Sequence, residues 1–266
     1  MRDPLPDDPA GLPPLPVAVR RLIEAGCASW GVILDERAMA ALDAHARLLL
    51  AWTAAINLTA VRLPERLAVL HVLDSLSAVP LLRRAVGPRP RLADIGSGGG
   101  YPALPLAIVL PASQVVLIES IGKKARFLEV ASAAVGRVLG ADGTAPDLHV
   151  ERRRAEALAG PDGRCGVFDV VTVRAVGSLA HLAALGLPLL RPGGLLVAWK
   201  RDAGDGALEA EVGEARPIIA RLGGAPPRVE TVRVPPGATG LEGHRLVLVR
   251  AGRGGAPASG RSRLLG

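Results

Sequence analysis

The segment RLADIGSGGGYP, residues 91–102, brings an acid and four glycines to the end of an apolar run. Asp94 and Ile95 close the run; Gly96, Gly98, Gly99 and Gly100 follow, then Tyr101. Glycines let a backbone turn sharply and approach a ligand with no Cβ in the way. A second acid, Glu119, ends the run QVVLIE 23 residues beyond Gly96. A carboxylate at that place can accept hydrogen bonds from both hydroxyls of a ribose. The dinucleotide fingerprint G-x-G-x-x-G fits poorly, because Tyr101 stands at its third glycine. The pattern present is Asp-x-Gly-x-Gly-x-Gly, through Asp94, Gly96, Gly98 and Gly100.

Other residues invite chemistry less directly. Arg174 follows the apolar run FDVVTV. A guanidinium there can grip a carboxylate or phosphate with two parallel bonds, or pair with a surface acid. His71, Asp74 and Ser75 suggest a hydrolase triad. On one helix, however, His71 and Ser75 lie on consecutive turns, and Asp74 cannot also orient that imidazole. HVLDSL is therefore expected to be structural or to cover a cofactor. Lys123, Lys124 and Arg126 form one basic cluster and Arg152, Arg153 and Arg154 another; each suits phosphate contact or a solvated face. Cys27 and Cys165 show no metal-ligand or redox spacing, so reduced thiols and no metal are expected.

These residues need a scaffold that brings strand ends together. Residues 1–16 hold five prolines and three aspartates and are expected to be disordered. From Val17 to Leu82 apolar residues recur at helical spacing, predicting three helices, one capped by Asp35 and one starting at Pro64. The expected organisation is a helical extension over 17–90, a ligand-binding domain over 91–250 and a disordered Arg/Gly-rich tail over 251–266. Within the domain RLADI, QVVLIES, DLHVE, FDVVTV and GLLVAWK read as strands, with helices starting near Pro102, Lys123, Ala155 and Ser178. That alternation predicts an α/β fold, a doubly wound parallel sheet. RVETVRV and HRLVLVR should close it as an antiparallel hairpin.

Five parallel strands followed by a hairpin is the layout of class I methyltransferases, and Asp-x-Gly-x-Gly-x-Gly is their loop pattern. More specific strings are AINLTAVR (55–62), HVLDSL (71–76), IGSGGGYPALPLAI (95–108), IGKKARFL (121–128), RRRAEAL (152–158), VRAVGSL (173–179) and LLVAWK (195–200). Together they resemble the ribosomal RNA small-subunit methyltransferase G family, also called glucose-inhibited division protein B. The resemblance implies S-adenosylmethionine as cofactor and transfer of its methyl group to the N-7 nitrogen of a guanine in 16S ribosomal RNA. It also implies cofactor contacts at Gly96 and Tyr101, at Ala155 and Glu156 beside the adenine, at Glu119 on the ribose, and at Arg174. In that setting the loop, with Gly98, cradles the amino-acid arm, and Asp94 organises the loop or meets the ammonium. Two positions depart from the family: Ala103 and Arg201 stand where glycine is usual.

The net charge is +7, and all basic residues but Lys123, Lys124 and Lys200 are arginine. That balance permits a polyanionic partner without requiring one. The longest apolar stretch, near Leu67–Leu82, is broken by His71 and Asp74, so no membrane span is expected and the chain reads as cytoplasmic. The chain has no Asn/Asp-Pro-Pro-aromatic motif for exocyclic amines and no Pro-Cys nucleophile for pyrimidine carbons. Alternatives left open by the residues are a protein or small-molecule acceptor and a nicotinamide-dependent oxidoreductase.

Overall fold

The β-branched and aliphatic runs after residue 90 form the strands, and their alternation decides which helices lie on which face. The computed structural model describes residues 5–111, 114–140, 145–159, 164–174 and 177–252. Its strands are β1 (Arg91–Ile95), β2 (Gln114–Ile118), β3 (Asp147–Glu151), β4 (Phe168–Arg174), β5 (Leu190–Arg201), β6 (Arg228–Thr231) and β7 (His244–Arg250). They make one seven-stranded sheet in the order β3-β2-β1-β4-β5-β7-β6. The first five are parallel, and β7 runs antiparallel to both β5 and β6. The doubly wound sheet and its closing hairpin are as expected.

Leu92, Val115, Leu117, Val170 and Val197 face one apolar core, while Ala93, Ile95, Val116, Ile118, Val171 and Ala198 face the other. Successive strand residues point to opposite faces, so Asp94, Thr172 and Arg174 project to the first side. On the second side lie α8 (Ala155–Leu158), α9 (Leu179–Gly186) and α10 (Ala207–Arg221). The sequence reading had no helix between β5 and β6. Leu208, Val212, Ala215 and Ile219 are its buried stripe, and their helical spacing is the signal that could have found it.

The first side carries α6 (Ala103–Val109) and α7 (Gly122–Leu139) with the whole N-terminal layer. That layer begins with α1 (Val17–Ser29) and α2 (Glu36–Thr53), whose cap is Asp35 accepting from the Ala38 amide at 2.7 Å. Then α3 (Pro64–Leu67) runs through a π-helical turn, Ala68–Leu73, into α4 (Asp74–Leu76), and α5 (Val79–Ala85) follows. Its apolar residues and those of the sheet belong to a single core. No described helix is long and apolar enough to cross a membrane.

Disorder expected for residues 1–16 is not what residues 5–16 show. Leu15 is buried and its amide donates to Asp43 Oδ1 at 2.8 Å. The Trp52 indole donates to Pro6 O at 2.7 Å, and the Arg47 guanidinium donates to Leu12 O. A proline-rich stretch cannot supply its own hydrogen bonds, but its carbonyls are open acceptors for long donors on a neighbouring helix. At the other end, Ala251 and Gly252 bond to Gly194 and Gly223; the remainder of the expected Arg/Gly tail, 253–266, lies outside the described residues.

Candidate active site

The strand register fixes which residues emerge together. Ile95 pairs with Ile118 on one side and with Val173 on the other. The next residue along each of the three chains is Gly96, Glu119 and Arg174. They share the carboxyl edge of the sheet, and the order of strands reverses between β1 and β4, where ligands of open α/β sheets bind.

The loop beyond β1 is shaped by three glycines with left-handed backbone, Gly96 (φ 71°), Gly98 (φ 52°) and Gly100 (φ 83°). Gly98 has space for a Cβ but not the right backbone, whereas a Cβ on Gly100 would stand 2.7 Å from Leu104 Cδ1 and 2.9 Å from His45 Nε2. Glu119 staples this loop. Its Oε2 accepts from the Gly98 amide at 3.0 Å and its Oε1 from the Ile121 amide at 2.8 Å. Each carboxylate oxygen keeps a further lone-pair position, so both can still take a hydroxyl.

Asp94 is buried at the foot of the loop. Thr172, its partner across the β1–β4 register, donates its hydroxyl to Oδ1 at 2.7 Å. Oδ2 is buried with no partner among the described residues. Desolvation raises the Asp94 pKa from 3.8 to about 6, against the hydrogen bonds that oppose it. A buried carboxylate oxygen aimed at nothing is costly; a cationic group brought to it by a ligand would remove that cost. With the staple and the glycine turns, these residues fit an adenosyl group bearing an ammonium arm.

Arg174 is held rather than free. Its Nη1 donates to Asp74 Oδ2 at 2.8 Å and to Leu70 O at 3.1 Å, and its Nη2 donates to His71 Nδ1 at 2.8 Å. His71 therefore carries its proton on Nε2, which donates to Thr59 Oγ1 at 2.7 Å. Burial, and then the Arg174 charge, lower the His71 pKa from 6.5 to about 4 and keep the ring neutral. Ser75 donates to the His71 main-chain carbonyl at 2.6 Å, not to the ring. The hydrolase triad is absent, and HVLDSL is an anchor for Arg174.

Tyr101 lies between two imidazoles, with ring centroids 4.5 Å from His45 and 5.0 Å from His71. The Arg174 guanidinium stands 5.8 Å from its ring centroid, within cation–π range. His45, from α2, donates Nε2–H to Gly99 O at 2.8 Å, and desolvation lowers its pKa to about 4. The N-terminal layer thus supplies the wall against which the glycine loop is set. His45, Thr172 and Asp74 were not among the site residues expected from sequence. Thr172 alone left a signal, a hydroxyl at a buried position of an apolar strand.

Ala155 and Glu156 open α8, immediately beyond β3 on the same sheet edge, Ala155 buried and Glu156 half-buried. Arg152, Arg153 and Arg154 just before them are exposed. The Arg152 guanidinium lies over Gly122, so this cluster adjoins Lys123 and Lys124 at the start of α7. Ala103 is fully buried in α6, its methyl group accommodated by the core. Lys200 donates to Glu211 at 2.6 Å and to Gly177 O at 2.9 Å, while Arg201 is exposed.

Residues 38–216 match the family model described as rRNA small subunit methyltransferase G. The chain belongs to that family. A ribosomal RNA small subunit methyltransferase G from Sorangium cellulosum is 41% identical over 210 residues, covering 79% of this chain and 81% of the relative. One from Xanthomonas axonopodis pv. citri is 38% identical over 247 residues, covering 92% of this chain and all of the relative. Among solved structures, a branched-chain polyamine synthase mutein from Thermus thermophilus superposes with a TM-score of 0.52 at 15% identity, covering 78% of this chain and 63% of that one; that likeness is one of fold. Membership makes the chain an S-adenosylmethionine-dependent methyltransferase and sets aside the oxidoreductase alternative.

Proposed function

We propose that the chain methylates the N-7 position of a guanine in 16S ribosomal RNA, in the small subunit or a precursor of it. The observation that carries the reading is the edge shared by Glu119, the glycine loop and Arg174, with the unpartnered Asp94 oxygen beneath it, in a chain of this family. Glu119 would hold the ribose hydroxyls, Asp94 the ammonium, and Gly96, Gly98 and Tyr101 the amino-acid arm. Ala155 and Glu156 would border the adenine. Arg174 would hold an anion at the reacting end, either the cofactor carboxylate or an RNA phosphate. When bound, the cofactor supplies an electrophilic sulfonium methyl.

Guanine N-7 presents a lone pair, so no proton has to leave before attack. The site suits that requirement. His71 has its acceptor nitrogen on Arg174 and its proton on Thr59, and His45 is enclosed and neutral. Neither is placed to take a proton from an acceptor. The work left to the protein is orientation in a water-poor cleft. Lys123, Lys124, Arg126 and Arg152–Arg154 form a basic rim beside it, suited to phosphates.

Incubation with small subunits and isotopically labelled S-adenosylmethionine, followed by nucleoside analysis of the RNA, tests the reading. Label in 7-methylguanosine is expected. Label in another nucleoside would overturn the N-7 assignment, and label only in protein or a small molecule would overturn the RNA acceptor.

A further inference from the structure

The π-helical turn Ala68–Leu73 displaces the following residues by one position relative to a regular helix, and π-turns recur where a side chain must be aimed. What it delivers is Asp74, whose carboxylate is almost wholly buried. Oδ2 lies 2.8 Å from Arg174 Nη1 at the end of β4, and Oδ1 lies 2.7 Å from His244 Nδ1 at the start of β7. The Asp74 carbonyl accepts from the Trp199 indole of β5 at 2.9 Å. One residue of the N-terminal layer therefore ties three strands of the sheet at the edge where the ligand binds.

Joining helix to sheet does not need a charge. Buried ion pairs stabilise no better than apolar residues of the same volume, so their use lies in orientation. The orientation here is specific. Asp74, Leu70 O and His71 Nδ1 engage both protons of Arg174 Nη1 and one of Nη2. Among the described residues Nε and the other Nη2 proton have no partner. Nε and Nη2 stand side by side on one edge of the guanidinium, the edge that grips a carboxylate or phosphate with two bonds. The Arg174 side chain remains 16% exposed, so that edge can be reached.

We infer that Asp74 is a positioning residue for methyl transfer, acting by holding the anion-gripping edge of Arg174 toward the reacting centre. The inference rests on Arg174 having the role given above. Four proteins test it: wild type, Asp74→Asn, Arg174→Gln and the double variant, each measured for kcat and KM on small subunits.

Asp74→Asn keeps the shape and a hydrogen-bond acceptor while removing the charge. It is expected to lower methyl transfer about tenfold, a usual size for coupled buried groups. It should move the same parameter, kcat or KM, that Arg174→Gln moves. On the Arg174→Gln background it should cost less than about twofold. An equal loss on both backgrounds would overturn the inference while leaving the role of Arg174 intact. Wild-type turnover in Arg174→Gln would overturn both. If Asp74→Asn loses its native circular dichroism, His71→Phe takes its place in the cycle. That variant removes another anchor without stranding a buried acid, and additivity with Arg174→Gln would again count against positioning.

Discussion

Removing the Glu119 carboxylate should have two separable effects, because the side chain faces two ways. In the free protein it staples the glycine loop through the Gly98 and Ile121 amides, at 3.0 and 2.8 Å. Glu119→Ala strands both N–H groups at a site where water has partial access. At about 1 kcal/mol net for each bond, the loss is about 2 kcal/mol. For a chain of this size that lowers the melting temperature by about 4–8 °C. With the cofactor present, the same variant also loses two hydroxyl contacts to a charged acceptor, together about 1.5–3 kcal/mol. The dissociation constant should then rise by a factor of about 10–150. Glu119→Gln cannot restore the staple, since it offers one acceptor and one amino group to two donors. Thermal melts without ligand and calorimetry with S-adenosylmethionine measure the two effects on one preparation. An unchanged melt in Glu119→Ala would refute the staple, and an unchanged dissociation constant would refute the ribose contact.

Gly100→Ala should reduce both stability and cofactor affinity more than Gly98→Ala, since both glycines have positive φ but only Gly100 also meets Leu104 and His45; equal melts for the two would refute the packing argument. Cofactor affinity should fall as pH drops through about 6, where Asp94 takes a proton, and should be flat over that range in Asp94→Asn. The free fold responds in the opposite sense, since a buried acid with a raised pKa gains stability as pH falls from above 6 toward its unfolded value; calorimetry and melts from pH 5 to 8 separate the two. Deleting residues 1–16 uncovers the site of Leu15 and should cost about 2 kcal/mol, or about 4–8 °C in melting temperature; an unshifted melt would show that the docked segment contributes nothing.

What could be read from the sequence was local. The Asp35 cap, the strand ends at Ile95 and Ile118 and the glycine loop are signals within a few residues of one another. The elements and the parallel sheet follow from them. Residues 5–16 were misread because proline-rich composition says nothing about donors elsewhere, here Trp52 and Arg47, that can use its carbonyls. The anchor of Arg174 was illegible for a related reason. Asp74 lies 100 residues away in sequence from Arg174 and 170 from His244, and no spacing rule connects them. Their meeting depends on a π-turn, which has no periodicity of its own to read. His45 was hidden in the same way, an imidazole on a helix whose place over the loop is decided only when α2 packs on the sheet.

The single core on the first side of the sheet holds Leu15 near one end of the chain and Leu248 near the other. On a translating ribosome the N-terminal helices therefore emerge well before the surface that covers them. Leu246 and Leu248, the last strand residues of that core, follow the end of α5 by about 160 residues, which at roughly 5–20 residues per second is a wait of about 8–30 s. Throughout that interval the apolar faces of α1 and α2 have no sheet to pack on. The nascent chain is most open to aggregation or chaperone capture during this interval, and commitment to the native state waits for β7.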